Sequence, residues 1–303
     1  MIVRPHPRPF SLLFIIRGSI IGAILGELAA VAVIALLVVV LHRLVPSVFS
    51  RFTLPSVSVL GLAISIFLGF RANVCYQRWW EARCQWGHLI GETRAFLRDA
   101  QALLGADEVV LRRLGHRLIA FAHTLKADLR QDSRAMAQDW LSPGEWQAVA
   151  HRRGKADRIL ALQAEDLAGL LREGRLSDIL YRGLADRLDT ITGIQAACER
   201  LHTTPTPFAY TLLLHRTAWL FCLLLPFGLV STMGFATPIV TVIVAYAFFG
   251  LDALGQELQQ PFDERANALP LDALVRVIEI SVLESVGGRD VPPALQPRDY
   301  VLL

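Results

Sequence analysis

The sequence predicts an all-α membrane protein, with four transmembrane helices continuous with a helical cytoplasmic bundle. Three observations carry that reading. The 303-residue chain is 53% hydrophobic and only 19% charged, with a mean hydropathy of +0.44, a balance too apolar for a soluble domain of this length. Charge-poor stretches long enough to cross a bilayer recur near both ends of the chain. Between them, caps and breakers punctuate helical periodicity, with no strand pattern, internal repeat or low-complexity tract.

The chain opens MIVRPHPRPFSLLFIIRG, with the positive charge of a signal peptide. The apolar run behind it is much longer than a cleavable core and lacks a small-residue cleavage site, so it reads as a retained span. Between Arg17 and His42 lie 24 residues with one charge, Glu27. At about 1.5 Å per residue they reach roughly 36 Å, enough for a hydrocarbon core of about 30 Å with tilt. The second span covers Phe52 to Phe70, 19 residues without a charge, opened by Pro55 in the first turn where a missing N–H costs little. It runs into FLGFRANVCYQRWWEARCQWG (67–87) with no proline to end the helix, so the helix is expected to continue into charge.

From Thr217 to Leu251 no residue is charged, and 35 residues are too many for one ordinary span and too few for two. STMGFATP (231–238) supplies a turn, so the third span begins near Pro207 and the fourth runs from about Pro238 to Leu254. Arg4, Arg8, Arg17, Arg71, Arg78, Arg83, Arg200 and Arg265 flank one side, while the 231–238 turn has no basic residue. That bias places both termini and the segment 77–206 in the cytoplasm, against the weaker opposite signal of Arg43 and Arg51.

The cytoplasmic segment is read from its punctuation. Apolar residues recur at helical spacing through 76–104, Gly105 ends that helix, and Asp107 starts another reaching about Arg130. In SPGE (142–145), Ser142 is a cap, Pro143 takes the first helical position and Glu145 the capping-box position. Further helices follow at about 155–173 and 177–202, the latter begun by Ser177 and stopped by TTPTP (203–207). The domain organisation is therefore 1–76, with the first two transmembrane helices; 77–206, a cytoplasmic helical domain; 207–255, with the last two; and 256–303, a cytoplasmic C-terminal segment.

Several function classes are set aside. A formal charge of +3 with no basic run does not point to nucleic acid. Cys75, Cys84, Cys198 and Cys222 lack CxxC spacing and sit in apolar or helical surroundings, so they read as buried thiols. There is no Gly-rich phosphate loop, GxSxG, HExxH or CxxCH, and no cofactor is expected. His116 and His123, seven apart on one helix face, read as a solvated or core-edge pair ahead of a metal site. Nothing here calls for an enzyme.

Two features need a reason. Glu27, His215 and Arg216 lie inside spans, where ionised side chains face protein or water. Either they line a hydrated path, or Arg216 pairs with Glu27 or a carbonyl, or snorkels to the inner interface. On the second span, Leu62, Ile66 and Phe70 repeat every four residues along one face, with Asn73 and Gln77 continuing the line. On its own such a stripe reads as packing against a neighbour. The alternative is stacked apolar rings around an axis shared by several copies, a constriction that gates by drying and discriminates weakly between ions.

A GF pair at the inner end of the second span, with RWW eight residues after Phe70 (Arg78, Trp79, Trp80), resembles the bestrophin family of ion channels, including its bacterial members. MIVRP at the start, PFAYT (207–211) and PF…N.LPLDAL (261–274) extend the likeness over essentially the whole chain. The resemblance implies a homopentamer of the bacterial inner membrane, surrounded by lipid and passing small monovalent ions, either anions such as chloride or cations such as sodium. It makes 52–76 the pore-lining helix and Leu62, Ile66 and Phe70 its neck, with Arg71, Asn73 and Gln77 in the vestibule beside it. A lower aperture falls on Ile179, with Leu180 as the fallback. Animal members bind calcium in acids after the Pro–Phe pair; here Asp263, Glu264 and Asp272 remain as weak candidates, but Arg265 and Ala268 stand where many bacterial relatives keep acids, so calcium activation is not expected. From another class, the alternative is a non-conducting membrane scaffold or sensor whose cytoplasmic domain binds a partner protein.

Overall fold

The computed structural model describes residues 1–4, 10, 15, 18–45, 54–105, 107–132, 136–288 and 290–303. Arg8, Arg17, Arg51 and the first two residues of the expected 52–76 helix lie outside them. Helices account for the architecture: α1 (Ile21–Leu44), α2 (Leu54–Leu104), α3 (Glu108–Arg130), α4 (Pro143–Ala150), α5 (Lys155–Arg172), α6 (Asp178–Thr203), α7 (Phe208–Met233), α8 (Thr237–Leu258) and α9 (Leu271–Ser285). Among the described residues there is no strand, only two isolated antiparallel bridges, Ile2 with Val301 and Arg298 with Val301.

The chain divides into two compact units: Arg4–Trp79 with Pro205–Pro261, and Met1–Val3 with Trp80–Thr204 and Phe262–Leu303. The division falls inside α2, a single helix of 51 residues. Its continuity follows from local chemistry: no proline occurs after its first turn, and Gly105 ends it at φ +62°, a conformation that only glycine adopts without cost.

The first unit holds the apolar stretches. Among the described residues, Ile21–Leu44, Val57–Leu104 and Phe208–Leu258 contain windows long and apolar enough to cross a membrane, with mean hydropathies of 2.9, 1.8 and 1.9. The last is folded back on itself by a 3₁₀ turn, Gly234–Ala236, so that α7 and α8 pack side by side and α1 packs on both. The expected eight-residue turn is thus only three residues long, since Ser231, Thr232 and Met233 complete the last turn of α7. Ile24, Val31, Ile64, Leu68, Phe221 and Phe249 lie in its core, where the Trp219–Phe249 and Phe221–Phe248 ring pairs each stand 5.0 Å apart.

The second unit is built around α3, which buries Leu114, Leu118, Phe121 and Leu125 and packs against α5, α6 and α9. Its ends follow the sequence signals. Asp107 accepts from the Val110 N–H at 3.1 Å, and Ser177 from the Leu180 N–H at 3.4 Å. Glu145 Oε2 accepts from both the backbone N–H and the hydroxyl of Ser142, at 2.8 and 2.7 Å. Burial opposes ionisation of Glu145, but Ser142 and Arg117 outweigh it and hold the carboxyl below its usual range. The helix α9 and the pairing of residues 1–3 with 300–302 had no counterpart in the sequence reading; Val3 N–H donates to Tyr300 O at 2.9 Å and Leu302 N–H to Met1 O at 2.8 Å.

Candidate ion-conduction site

The first half of α2 has two apolar faces with different fates. Val57, Gly61, Ile64, Leu68, Arg71 and Cys75 are buried, at alternating spacings of four and three, the repeat of a helix seated on its neighbours. Gly61 is where the approach is closest: a Cβ there would stand 2.7 Å from two ring carbons of Phe221. The opposite face carries Leu62, Ile66 and Phe70, which are 66%, 50% and 59% exposed, flanked by Val59, Phe67 and Val74. An apolar band of this length on one protomer needs either lipid or other copies of the chain to cover it. Asn73 and Gln77 are also exposed, one and two turns further along.

Arg71 does not join them, and the vestibule assignment needs correcting for this residue. It lies about 100° around the helix from Phe70, in the buried seam, where it is 1% exposed and paired with Asp252. Asp252, on α8, is the residue that sequence reasoning missed. It also accepts from His215 Nδ1 at 2.9 Å and from Gln256 Nε2 at 3.1 Å. Of the alternatives for the charges inside the spans, the pairing of Glu27 with Arg216 does not form: Arg216 is exposed, Glu27 is half-buried, and neither has an ion-pair partner among the described residues. Arg78 Nε donates to the Gln259 carbonyl at 3.0 Å, and Tyr76 stacks on Trp79 with ring centroids 6.3 Å apart.

In the second unit, Ile179 occupies the first turn of α6 and is 84% exposed, while Leu180 beside it is 38% exposed. The acids considered for calcium have other partners. Asp272 binds Lys126 Nζ at 2.7 Å and Arg130 Nη1 at 2.8 Å, and Asp263 binds Arg265 Nε at 2.9 Å. Burial raises the Asp272 carboxyl, but the hydrogen bonds from Lys126 and Arg130 prevail and lower it below its ordinary value. Glu264 is exposed. His116 and His123 go separate ways: His116 meets the Trp140 ring edge-on at 5.3 Å, whereas buried His123 bonds through Nε2 to Glu279. No group of three or more His, Cys, Asp or Glu side chains able to hold a metal occurs among the described residues. Of the four thiols, Cys75, Cys198 and Cys222 are buried and Cys84 is half-buried.

The family model for the bacterial and fungal bestrophin proteins matches residues 1–284. A voltage-dependent anion channel-forming protein of Mesorhizobium japonicum is 43% identical over 300 residues, covering 99% of this chain and 96% of its own. A protein of Escherichia coli K12 with the same description is 40% identical over 304 residues, covering 100% of both chains. The crystal structure of a bacterial bestrophin homologue from Klebsiella pneumoniae superposes with a TM-score of 0.85 at 36% identity, over 88% of this chain and 100% of the other.

Proposed function

The chain belongs to the bacterial and fungal bestrophin family, and we propose from that premise that it is a passive anion channel whose neck is the exposed stripe of α2. The observation that carries the reading is that Leu62, Ile66 and Phe70 stand at least half exposed on one face of an apolar helix whose other face is buried. Five copies of the chain surround one axis, with α1, α7, α8 and the first part of α2 crossing the inner membrane and both termini in the cytoplasm. The exposed stripes then face one another as three stacked apolar rings. An apolar ring excludes water when narrow, so passage requires wetting, and an ion crosses with little side-chain coordination. Weakly hydrated monovalent anions suit such a neck best, in keeping with the description of relatives at 40–43% identity as anion channel-forming.

Below the neck, Asn73 and Gln77 offer amides to the returning hydration shell, and Ile179, with Leu180 beside it, forms the lower aperture. Calcium plays no part in opening: Lys126, Arg130 and Arg265 supply the positive charge that Asp272 and Asp263 would otherwise take from a metal. Purified protein in liposomes tests the reading. Chloride efflux exceeding sodium efflux, unaffected by calcium chelation, with a native mass of five chains, is the expected result; movement of neither ion, or sodium in preference to chloride, contradicts it.

A further inference from the structure

The contact that seats the first half of α2 on α7 lies one residue before the neck begins. Phe221 of α7 is 5% exposed, and its ring comes so close to Gly61 that a Cβ there would stand 2.7 Å from both Cε2 and Cζ. The other glycine of this half, Gly69, has nothing within 4 Å of the corresponding point, so the crowding belongs to this one turn. Phe248 of α8 lies against Phe221 with ring centroids 5.0 Å apart, which leaves the buried ring little room to retreat. Only a residue without a side chain admits the ring at this separation.

Helix geometry turns this contact into a thrust on the exposed stripe. Around α2, Leu62 stands about 100° from Gly61, Ile66 about 140° and Phe70 about 180°. Pressure from Phe221 therefore acts along the direction in which Ile66 and Phe70 point. The turn is also tied from within: Ser65 Oγ donates to the carbonyls of Gly61 at 2.5 Å and of Leu62 at 3.3 Å, linking the backbone around Leu62 to the residue before Ile66. Adding a methyl group at position 61 and restoring a carbon–carbon separation of about 3.5 Å displaces the helix by about 0.8 Å, or about 1.5 Å across a ring of facing copies.

We propose that Phe221 is a positioning residue of the neck: its ring, seated on the bare backbone of Gly61, sets how far α2 stands from the axis and so the size of anion that passes. The scheme rests on the channel reading above. Efflux of chloride and of the larger methanesulfonate from liposomes, with the voltage clamped by potassium and valinomycin, gives a ratio that does not depend on how much protein is assembled. Gly61→Ala should lower chloride efflux about tenfold and methanesulfonate efflux further, because an apolar ring dries more readily as it narrows. Phe221→Leu, which lacks the two ring carbons in contact, should raise the methanesulfonate-to-chloride ratio about threefold. The double variant should return both effluxes to within about threefold of wild type, since the two changes act on one contact. A Gly61→Ala protein with the wild-type ratio, or a double variant no better than Gly61→Ala, overturns the proposal. Should Gly61→Ala fail to assemble, Phe221→Leu decides: a raised ratio sustains the proposal and an unchanged one overturns it. Absence of chloride efflux from the wild type is a different outcome, which defeats the channel reading itself and this proposal with it.

Discussion

Removing Asp252 should cost far more than removing the ion pair as a whole. In Asp252→Ala the Arg71 guanidinium stays in place, with 2% of its side chain exposed, and loses the carboxylate it is paired with. Its Nε and Nη2 already lack protein partners, so all of its donors would be buried and unmatched. Stranding one buried charge costs about 3–5 kcal/mol, which at roughly 2–4 °C per kcal/mol gives a fall of about 6–20 °C in the apparent melting temperature. In the double variant Arg71→Met with Asp252→Asn, both charges leave together and the asparagine oxygen still accepts from His215 or Gln256. It should recover to within about 1–2 kcal/mol of wild type, because a buried pair contributes little net stability once its desolvation is counted. Thermal denaturation in detergent, followed by the loss of the assembled peak in size exclusion, compares the three proteins. An Asp252→Ala variant melting within a degree of wild type, or a double variant no better than the single, would refute the reasoning.

Three further outcomes are expected from the second unit. Gly115→Ala places a Cβ 2.8 Å from Val282 Cγ1 and 3.2 Å from Val286 Cγ1, so it should destabilise the α3–α9 contact by about 1–3 kcal/mol, and Val282→Ala should restore part of the loss in the same melting assay. The Asp272 carboxyl is held below its ordinary value of 3.8, so its ion pairs contribute fully above that value and are lost as the pH falls through the lower, folded one. Wild type should therefore lose stability below about pH 4 more steeply than Asp272→Asn; parallel acid limbs would contradict the assignment. Burial pushes the Cys198 thiol up to about 12, so maleimide at pH 8 should label half-buried Cys84 in the native protein and spare Cys198, as read by peptide mass spectrometry.

Features governed by neighbours in sequence are legible in the sequence itself. Gly105, Asp107, Ser142 with Glu145, and Ser177 each act on backbone groups within four residues, so the helix ends at 104, 108, 143 and 178 could be read directly. The stripe was legible for the same reason, since Leu62, Ile66 and Phe70 are one turn apart, but its exposure was not: spacing alone read as packing against a neighbour. The fate of Arg71 was not. It continues the seam of Ile64 and Leu68 at spacings of seven and three, which marks its face, but the carboxylate waiting there is 181 residues away. Asp252 falls inside the expected fourth span, which ends near Leu254, and drew no reading there, because hydropathy records that a residue is polar and not what it meets. The bridge from Ile2 to Val301 was hidden for a similar reason: single residues pairing across the length of the chain leave no periodic trace.

The neck is tested most directly by replacing its three side chains together. Leu62, Ile66 and Phe70 are each at least half exposed in the protomer, so their truncation leaves the core of the unit intact. Chloride efflux through liposomes containing equal amounts of wild type and of the triple variant Leu62→Ala, Ile66→Ala, Phe70→Ala is the measurement. A wetted, wider constriction should conduct about tenfold faster or more. Efflux equal to wild type from a variant of unchanged native mass would contradict the account and place the constriction elsewhere.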